Sequence, residues 1–468
     1  MTIQRIPFLF CISCLIACNE PGSKTNVGTE KFISSKPPMG WNSWDCFGTS
    51  VTEADVKANA DYMAAKLKKY GWDYIVIDLG WYGANLSAYD TSQQYYKRPK
   101  PIQLMDSFGR LIPAVNKFPS CINGSFKPLG DWLHAKGLKF GIHVMRGIPW
   151  QAVEQNTPIA GTNYRARDIV KLEDGCNWYD GMRGIDFTQP GAQLYYNSLY
   201  QLFADWGIDF VKVDDMSAPT YHADDIAAVR KAIDLTGRPM VLSLSPGSTP
   251  LVNRAHVQKY ANMFRVSEDF WDTWEQLKNQ FSLCKKWSLY QQENHWADLD
   301  MLPLGKISLR AEEGSARQTN FTRQEQVTLM TMWAIFRSPL MFGGNLPDND
   351  AWTDSLITSE EVIAVNQTGK NARIISSKVL LNDKQMIEDE LIPIWSSESE
   401  DKKIKYVAFF NLTDKPQTLS LSFEKVDLTN ECWVRNLWDR KDIGIVRGKF
   451  EQIIQPHAAG LYSVKNVQ

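Results

Sequence analysis

Trp206-Gly207-Ile208-Asp209-Phe210-Val211-Lys212-Val213-Asp214 is a short apolar run that ends in a carboxylate. Ahead of it, Pro190 opens a helix that carries Leu194, Leu199, Leu202 and Phe203 on one face, and Gly207 stops that helix before the strand begins. Helix, glycine, buried strand and terminal acid together make one repeat of a β/α fold. The same order precedes Tyr74-Ile75-Val76-Ile77-Asp78. There Thr52 is the expected cap, with Asp55 at the third position, and Val56, Ala60, Met63 and Leu67 recur at helical spacing until Gly71. Further strands are read at 138–145, at 240–245 and from Phe264 toward Asp269. Polar groups collected at strand C-termini are what a barrel with its site on that face requires. Residues 37–373 are therefore expected to form a (β/α)8 TIM barrel. From about residue 374 the pattern changes to alternation of period two, as in Leu419, Leu421 and Phe423, so 374–468 is expected to be an antiparallel β-sandwich.

The chain has 468 residues, more than one ordinary core accommodates, which agrees with a large domain and a smaller companion. It is 44% hydrophobic and 22% charged, the make-up of a globular protein. A formal net charge of −2 gives no basic footprint for nucleic acid or for a membrane surface. The 17 Trp and 17 Tyr supply flat rings with polar edges that suit sugars, although core packing accounts for most such residues. Arg5 precedes an apolar run over 6–17, too short to span a bilayer permanently, and Leu15-Ile16-Ala17-Cys18 resembles a bacterial lipobox. Residues 1–18 are thus expected to be a lipoprotein-type signal peptide, with a lipidated Cys18 as the membrane link of an exported, periplasmic or cell-surface protein. The polar stretch 19–36 reads as a flexible tether. Cys46, Cys121, Cys176, Cys284 and Cys432 are widely scattered, without CxxC or Cys/His clustering, so neither a metal nor another cofactor is expected and spacing assigns no disulfide.

Strand-end acids are the groups from which glycosidic-bond hydrolysis is built, one carboxyl on each side of the anomeric carbon. Lys212 and Asp214 are two apart on a strand and face the same side, where the cation favours an ionised Asp214, while Asp215 points the other way. A second acid is expected within Arg265-Val266-Ser267-Glu268-Asp269-Phe270-Trp271-Asp272. Aromatic surroundings there would raise a carboxyl pKa, as suits a proton donor. Spacing leaves Glu268, Asp269 and Asp272 all open, and two of the three are expected only to pair with Arg265 or to begin the next helix.

Pro38-Met39-Gly40-Trp41-Asn42-Ser43-Trp44, Tyr74–Asp78 with Trp81, Gly137-Leu138-Lys139-Phe140-Gly141-Ile142, the 206–214 run, Asp298-Leu299-Asp300-Met301-Leu302 and Trp333-Ala334-Ile335 resemble, in this order, the motifs of glycoside hydrolase family 27. That family holds α-galactosidases and α-N-acetylgalactosaminidases. The resemblance implies a retaining double displacement in which Asp214 is the nucleophile and Asp269 the acid/base, and it covers nearly all of 36–468. It further implies that Trp44 stacks on the sugar, that Asp78 accepts hydroxyl hydrogen bonds near O4 and O6, and that Lys212 and Arg265 contact other ring hydroxyls. The implied ligand is a carbohydrate with a terminal galactose-like residue.

Three departures from the family pattern stand out. Leu79 stands where a second Asp usually contacts the axial 4-hydroxyl. Ser245 stands where α-galactosidases place a Glu at the 2-hydroxyl, as in the N-acetylgalactosaminidase members. Gly80 and Met216 replace loop cysteines. The commonest activity that the resemblance implies is α-galactosidase. The alternatives are α-N-acetylgalactosaminidase, β-L-arabinopyranosidase, more remotely an α-glucan-cleaving activity, and, in another class, an inactive carbohydrate-binding barrel. For the N-terminal segment, intact-mass analysis is expected to find a mature protein that begins at a lipid-modified Cys18 and partitions with membranes. Any other N-terminus without added lipid mass would leave simple secretion.

Overall fold

The computed structural model describes residues 33–84, 102–311, 314–375, 379–381, 385–387 and 391–467. The expected signal peptide with Cys18, and the expected tether up to residue 32, lie outside the described residues. The tether's last residues are not free. Ser34 is buried, its N–H donates to Asn294 Oδ1 (2.8 Å), and its carbonyl accepts the Trp296 indole N–H (2.8 Å).

Eight parallel strands form the barrel: β1 Met39–Asn42, β2 Tyr74–Ile77, β3 Lys139–Met145, β4 Phe210–Asp214, β5 Val241–Leu244, β6 Met263–Arg265, β7 Trp296–Asp298 and β8 Leu340–Phe342. They are hydrogen-bonded in the order β7-β6-β5-β4-β3-β2-β1-β8. The chain just past β7 closes the circle, because Leu302 bridges Phe342 in parallel. Most of these strands are buried along their length, which explains why they read as unbroken apolar runs.

The helices between them follow the sequence signals with one exception. Thr52 and Asp55 form a reciprocal capping box at the start of Glu53–Tyr62, and Val56, Ala60, Met63 and Leu67 are fully buried. Helical turns continue to Tyr70, and Gly71 then takes φ +99°, a conformation glycine adopts without strain. The helix Pro190–Asp205 buries a different stripe from the expected one, since Tyr195, Tyr196, Leu199, Tyr200 and Phe203 face the core while Leu194 is 39% exposed. Large tyrosines at spacing 3 to 4 outcompete the leucine for the apolar face.

Antiparallel strands follow the barrel, the first of them Lys370–Ile374. A six-stranded sheet joins, in order, Lys370–Ile374, Ile394–Glu398, Lys405–Phe410, Ala459–Asn466, Glu431–Asn436 and Lys441–Arg447, and the pair Gln417–Ser422 and Lys449–Ile454 lies against it. Period two decides where each side chain goes. Val407 and Phe409 join Leu419, Leu421, Phe450 and Tyr462 inside the sandwich, whereas Ala408, Phe410 and Trp395 join the core of the barrel. Phe410 meets Phe281 of the barrel edge-on at 4.9 Å. The five described cysteines are unpaired.

Candidate active site

The C-terminal ends of the barrel strands enclose a cavity of about 570 Å3, and Trp44, Asp78, Lys212, Asp214, Ser245, Arg265 and Asp269 all line it. These seven residues singled out from the sequence are therefore brought to one place, while Asp272, left open as an acid, lies outside it. Each of the seven arrives close to or shortly past the C-terminal end of a barrel strand, from Asp214 at the end of β4 to Asp269 four residues beyond β6.

Asp78, at the end of β2, is completely held. Its Oδ2 accepts from Lys212 Nζ (2.9 Å) and Asn42 Nδ2 (2.8 Å), and its Oδ1 accepts from the Leu79 N–H (2.8 Å). Burial alone would push this carboxyl up, but the Lys212 charge, with help from His143, outweighs it and keeps the group well below the usual carboxylate range. Lys212 gains in return. Burial opposes its charge, yet Asp78, Asp300 and Asp214 raise its pKa and keep it an ammonium.

Asp214 ends β4 on the same side as Lys212. Its Oδ2 lies 3.2 Å from His143 Nε2 and its Oδ1 accepts the Asp215 N–H at 2.8 Å. Burial raises its pKa, while the His143 hydrogen bond and charge and then Lys212 lower it further, so the net direction is downward. Asp215 turns away, with φ +61°, to accept from buried Arg146 (2.9 Å). His143 is the residue that sequence reasoning missed. It is 1% exposed, sits beside Lys212 in the β3–β4 register, and its only sequence signal was one imidazole inside an apolar strand.

The three acids after β6 separate clearly. Asp272 is buried and structural, ion-paired with Arg317 (2.7 Å) and accepting the Asn320 N–H (2.7 Å). Glu268 and Asp269 both reach the cavity, but only Asp269 is held there, 3.1 Å from the guanidinium of Arg265. The expected apolar enclosure of this acid is not what the structure has, since the Asp269 side chain is 67% exposed while Arg265 is 3% exposed. The reason is geometric: Asp269 lies past the strand on the rim, where Phe270 turns inward instead. Arg265 is fixed from behind by buried Asp300 (2.9 Å), a second group to which sequence reasoning assigned no role. Asp300 takes φ +81°, uncommon for a residue with a Cβ, and is clamped there by the Phe270 N–H on its Oδ2 (2.9 Å) and the Trp333 indole on its carbonyl (3.1 Å).

An ionised, buried carboxylate thus faces the cavity from one strand end, and a solvent-open one, steadied by a guanidinium, faces it from another. Such a pair can attack an acetal carbon and protonate its leaving oxygen. Two apolar or small groups complete the wall. Leu79 lines it beside Asp78 and is 7% exposed, and Ser245 Oγ is buried without a hydrogen-bond partner among the described residues. No group of His, Cys, Asp and Glu among the described residues is arranged to hold a metal ion.

A family 27 β-L-arabinopyranosidase from Geobacillus stearothermophilus is 47% identical to this chain, with a TM-score of 0.87 over 92% of this chain and 97% of that one. The chain belongs to glycoside hydrolase family 27. The profile described as Alpha galactosidase A matches residues 182–368 of this family 27 enzyme, and the profile described as Alpha galactosidase C-terminal beta sandwich domain matches 389–464. A Bacillus halodurans structure provisionally assigned as an α-N-acetylgalactosaminidase is 42% identical, with a TM-score of 0.80, over 92% of this chain and 97% of the other. Alpha-galactosidase 2 of Arabidopsis thaliana is 25% identical over 92% of this chain and 90% of its own. The protein is accordingly a glycoside hydrolase of the α-galactosidase type, and its substrates are carbohydrates.

His143 provides a direct test of the electrostatics. His143→Phe removes the hydrogen bond that lowers the Asp214 pKa. If the family 27 reaction needs an ionised Asp214, the acid limb of kcat/KM will move to higher pH, toward the ordinary Asp value of ~4, and kcat/KM at the optimum will fall about 10- to 100-fold. A pH–rate profile with an unmoved acid limb would remove His143 from this role.

Proposed function

We propose that this enzyme is a retaining exo-glycosidase that releases terminal β-L-arabinopyranosyl residues in preference to α-D-galactosyl ones. The carrying observation is Leu79, buried against the cavity next to Asp78, the residue that the resemblance places near both O4 and the hydroxymethyl oxygen O6. The two sugars share their ring and the hydroxyls at carbons 2, 3 and 4, and differ in that galactose carries a hydroxymethyl group. A branched apolar side chain beside Asp78 offers that group no hydrogen bond and occupies space, but it packs well against the bare ring methylene of the pentose. The 47% identical arabinopyranosidase supports the same reading. Ser245 favours a second one, α-N-acetylgalactosaminidase, because a small residue leaves room for a substituent at carbon 2.

In the proposed mechanism Asp214 attacks the anomeric carbon while Asp269 protonates the departing oxygen, which leaves a glycosyl ester on Asp214. Asp269, now a base, takes a proton from water as that water attacks the same carbon, and Asp214 leaves with net retention. Trp44, Asp78, Lys212, Ser245 and Arg265 bind and orient the sugar. The lipobox-like leader supports an enzyme that works outside the cytoplasm, tethered through Cys18. An inactive binding barrel would not need both acids, and turnover of an aryl glycoside separates the two classes.

Two experiments follow. Asp214→Gly is expected to abolish turnover with folding intact and to be partly rescued by azide, while Asp269→Ala should slow substrates with poor leaving groups far more than activated aryl glycosides. Equal losses on both substrate types would move the acid role to Glu268. On specificity, the wild type should cleave aryl β-L-arabinopyranosides faster than α-D-galactosides, and Leu79→Asp should move the ratio of kcat/KM toward the galactoside by about 10- to 100-fold, the worth of a charged hydrogen bond. Strict α-galactose specificity in the wild type would defeat the reading.

A further inference from the structure

A second cavity, of about 710 Å3, opens along the seam between barrel and sandwich and shares no lining residue with the first. The barrel side is made by the helices Arg323–Phe336 and Ala351–Ile357, and the sandwich side by the strands Lys449–Ile454 and Ala459–Asn466 with the turn at 436–440. Two indoles face it, and both are pinned at their edges. Trp438 Nε1 donates to Thr331 Oγ1 (2.9 Å) and Trp352 Nε1 donates to Gln326 Oε1 (3.0 Å), so neither ring pays an ordering cost when something packs on it.

Polar groups without partners accompany the rings. Tyr462 is 4% exposed and lines the cavity, yet its hydroxyl has no hydrogen-bond partner among the described residues. Burial pushes that phenol up to about 12, which keeps it a neutral donor. Ser359 is 3% exposed and stands at the N-cap of Glu360–Thr368, but its side chain makes no capping bond and borders the cavity instead. Neither hydroxyl oxygen is sealed from solvent, so each is free to exchange water for a ligand hydroxyl in the cavity. Arg440 lines the same wall without an ion pair among the described residues, and Asp439 sits next to it.

One cation beside one carboxylate leaves no net charge to hold a phosphate or a polyanion, and the hydroxyls rule against a purely apolar occupant. Rigid aromatic faces with neutral donors and acceptors match a molecule that is apolar on its C–H face and hydroxylated at its rim. We propose that this cavity is a second carbohydrate-binding site that takes a neutral oligosaccharide, separate from the site of hydrolysis. Holding the enzyme on a polymer there would raise the local concentration of chain ends at the barrel mouth.

The test is affinity electrophoresis of the intact enzyme through gels containing soluble galactomannan or arabinogalactan, with L-arabinose and D-galactose in excess to fill the barrel mouth. The wild type should be retarded by at least one polymer. Tyr462→Phe and Arg440→Ala, singly and together, should weaken retardation, by about tenfold in the double variant, while kcat/KM on an aryl glycoside stays within about twofold of wild type. Ser359→Ala gives an independent variant that sacrifices no helix cap, and the thermal midpoint of each variant checks its folding. Absence of retardation in the wild type, or equal retardation in folded variants, would overturn the proposal. Loss of aryl glycoside turnover bears on the barrel mouth alone.

Discussion

Lys212 and Asp78 meet at 2.9 Å inside the mouth of the barrel, and the geometry of the site hangs on that contact. A buried ion pair recovers its desolvation cost only when its remaining hydrogen-bonding capacity is used. Here Asn42 and the backbone of Leu79 fill the lone pairs of Asp78, while Asp214 and Asp300 share the field of the ammonium. The contact crosses β3, so three strands must be in register for it to form. His143 then stands beside Lys212, and Met145 beside Asp214. Slipping β4 by one residue would present Val211 and Val213 to the mouth and turn both charged groups outward.

The proposed chemistry and the proposed selectivity draw on different parts of this arrangement. Asp214, the proposed nucleophile, ends a strand whose position the closed hydrogen-bond circle of the barrel defines, and Asp269, the proposed acid, is held on the rim by Arg265 from the end of β6. Leu79 and Ser245, to which the proposed function gives the choice between sugars, lie two positions beyond β2 and one beyond β5. Such positions can change without disturbing the sheet, and one fold can therefore serve several closely related glycosides.

The barrel was legible because its strands are apolar runs bounded by glycines and caps, and the sandwich because period two survives in Leu419, Leu421 and Phe423. The cluster at the mouth was legible wherever a charged residue ends a strand, as at Asp78, Lys212 and Asp214. What local pattern could not supply was partnership across the fold. His143 acquires its meaning from the neighbouring strand, and Asp300 from Arg265, 35 positions earlier in the numbering. Among the acids after β6, only the pairing of Asp272 with Arg317 separates a structural carboxylate from the two at the cavity. The buried stripe of the helix Pro190–Asp205 was misjudged for a related reason, since hydropathy undervalues tyrosines whose rings fill a core.

Cysteine usage has a practical consequence. Cys46, Cys121, Cys284 and Cys432 are buried and Cys176 is partly so, none is bonded to another, and burial raises the pKa of all five thiols. Thiols so shielded are poor nucleophiles and act as small apolar side chains. The described part of this glycosidase therefore owes its cohesion to packing and polar contacts alone, and reductants that dismantle disulfide-stapled proteins find no covalent crosslink there to cut.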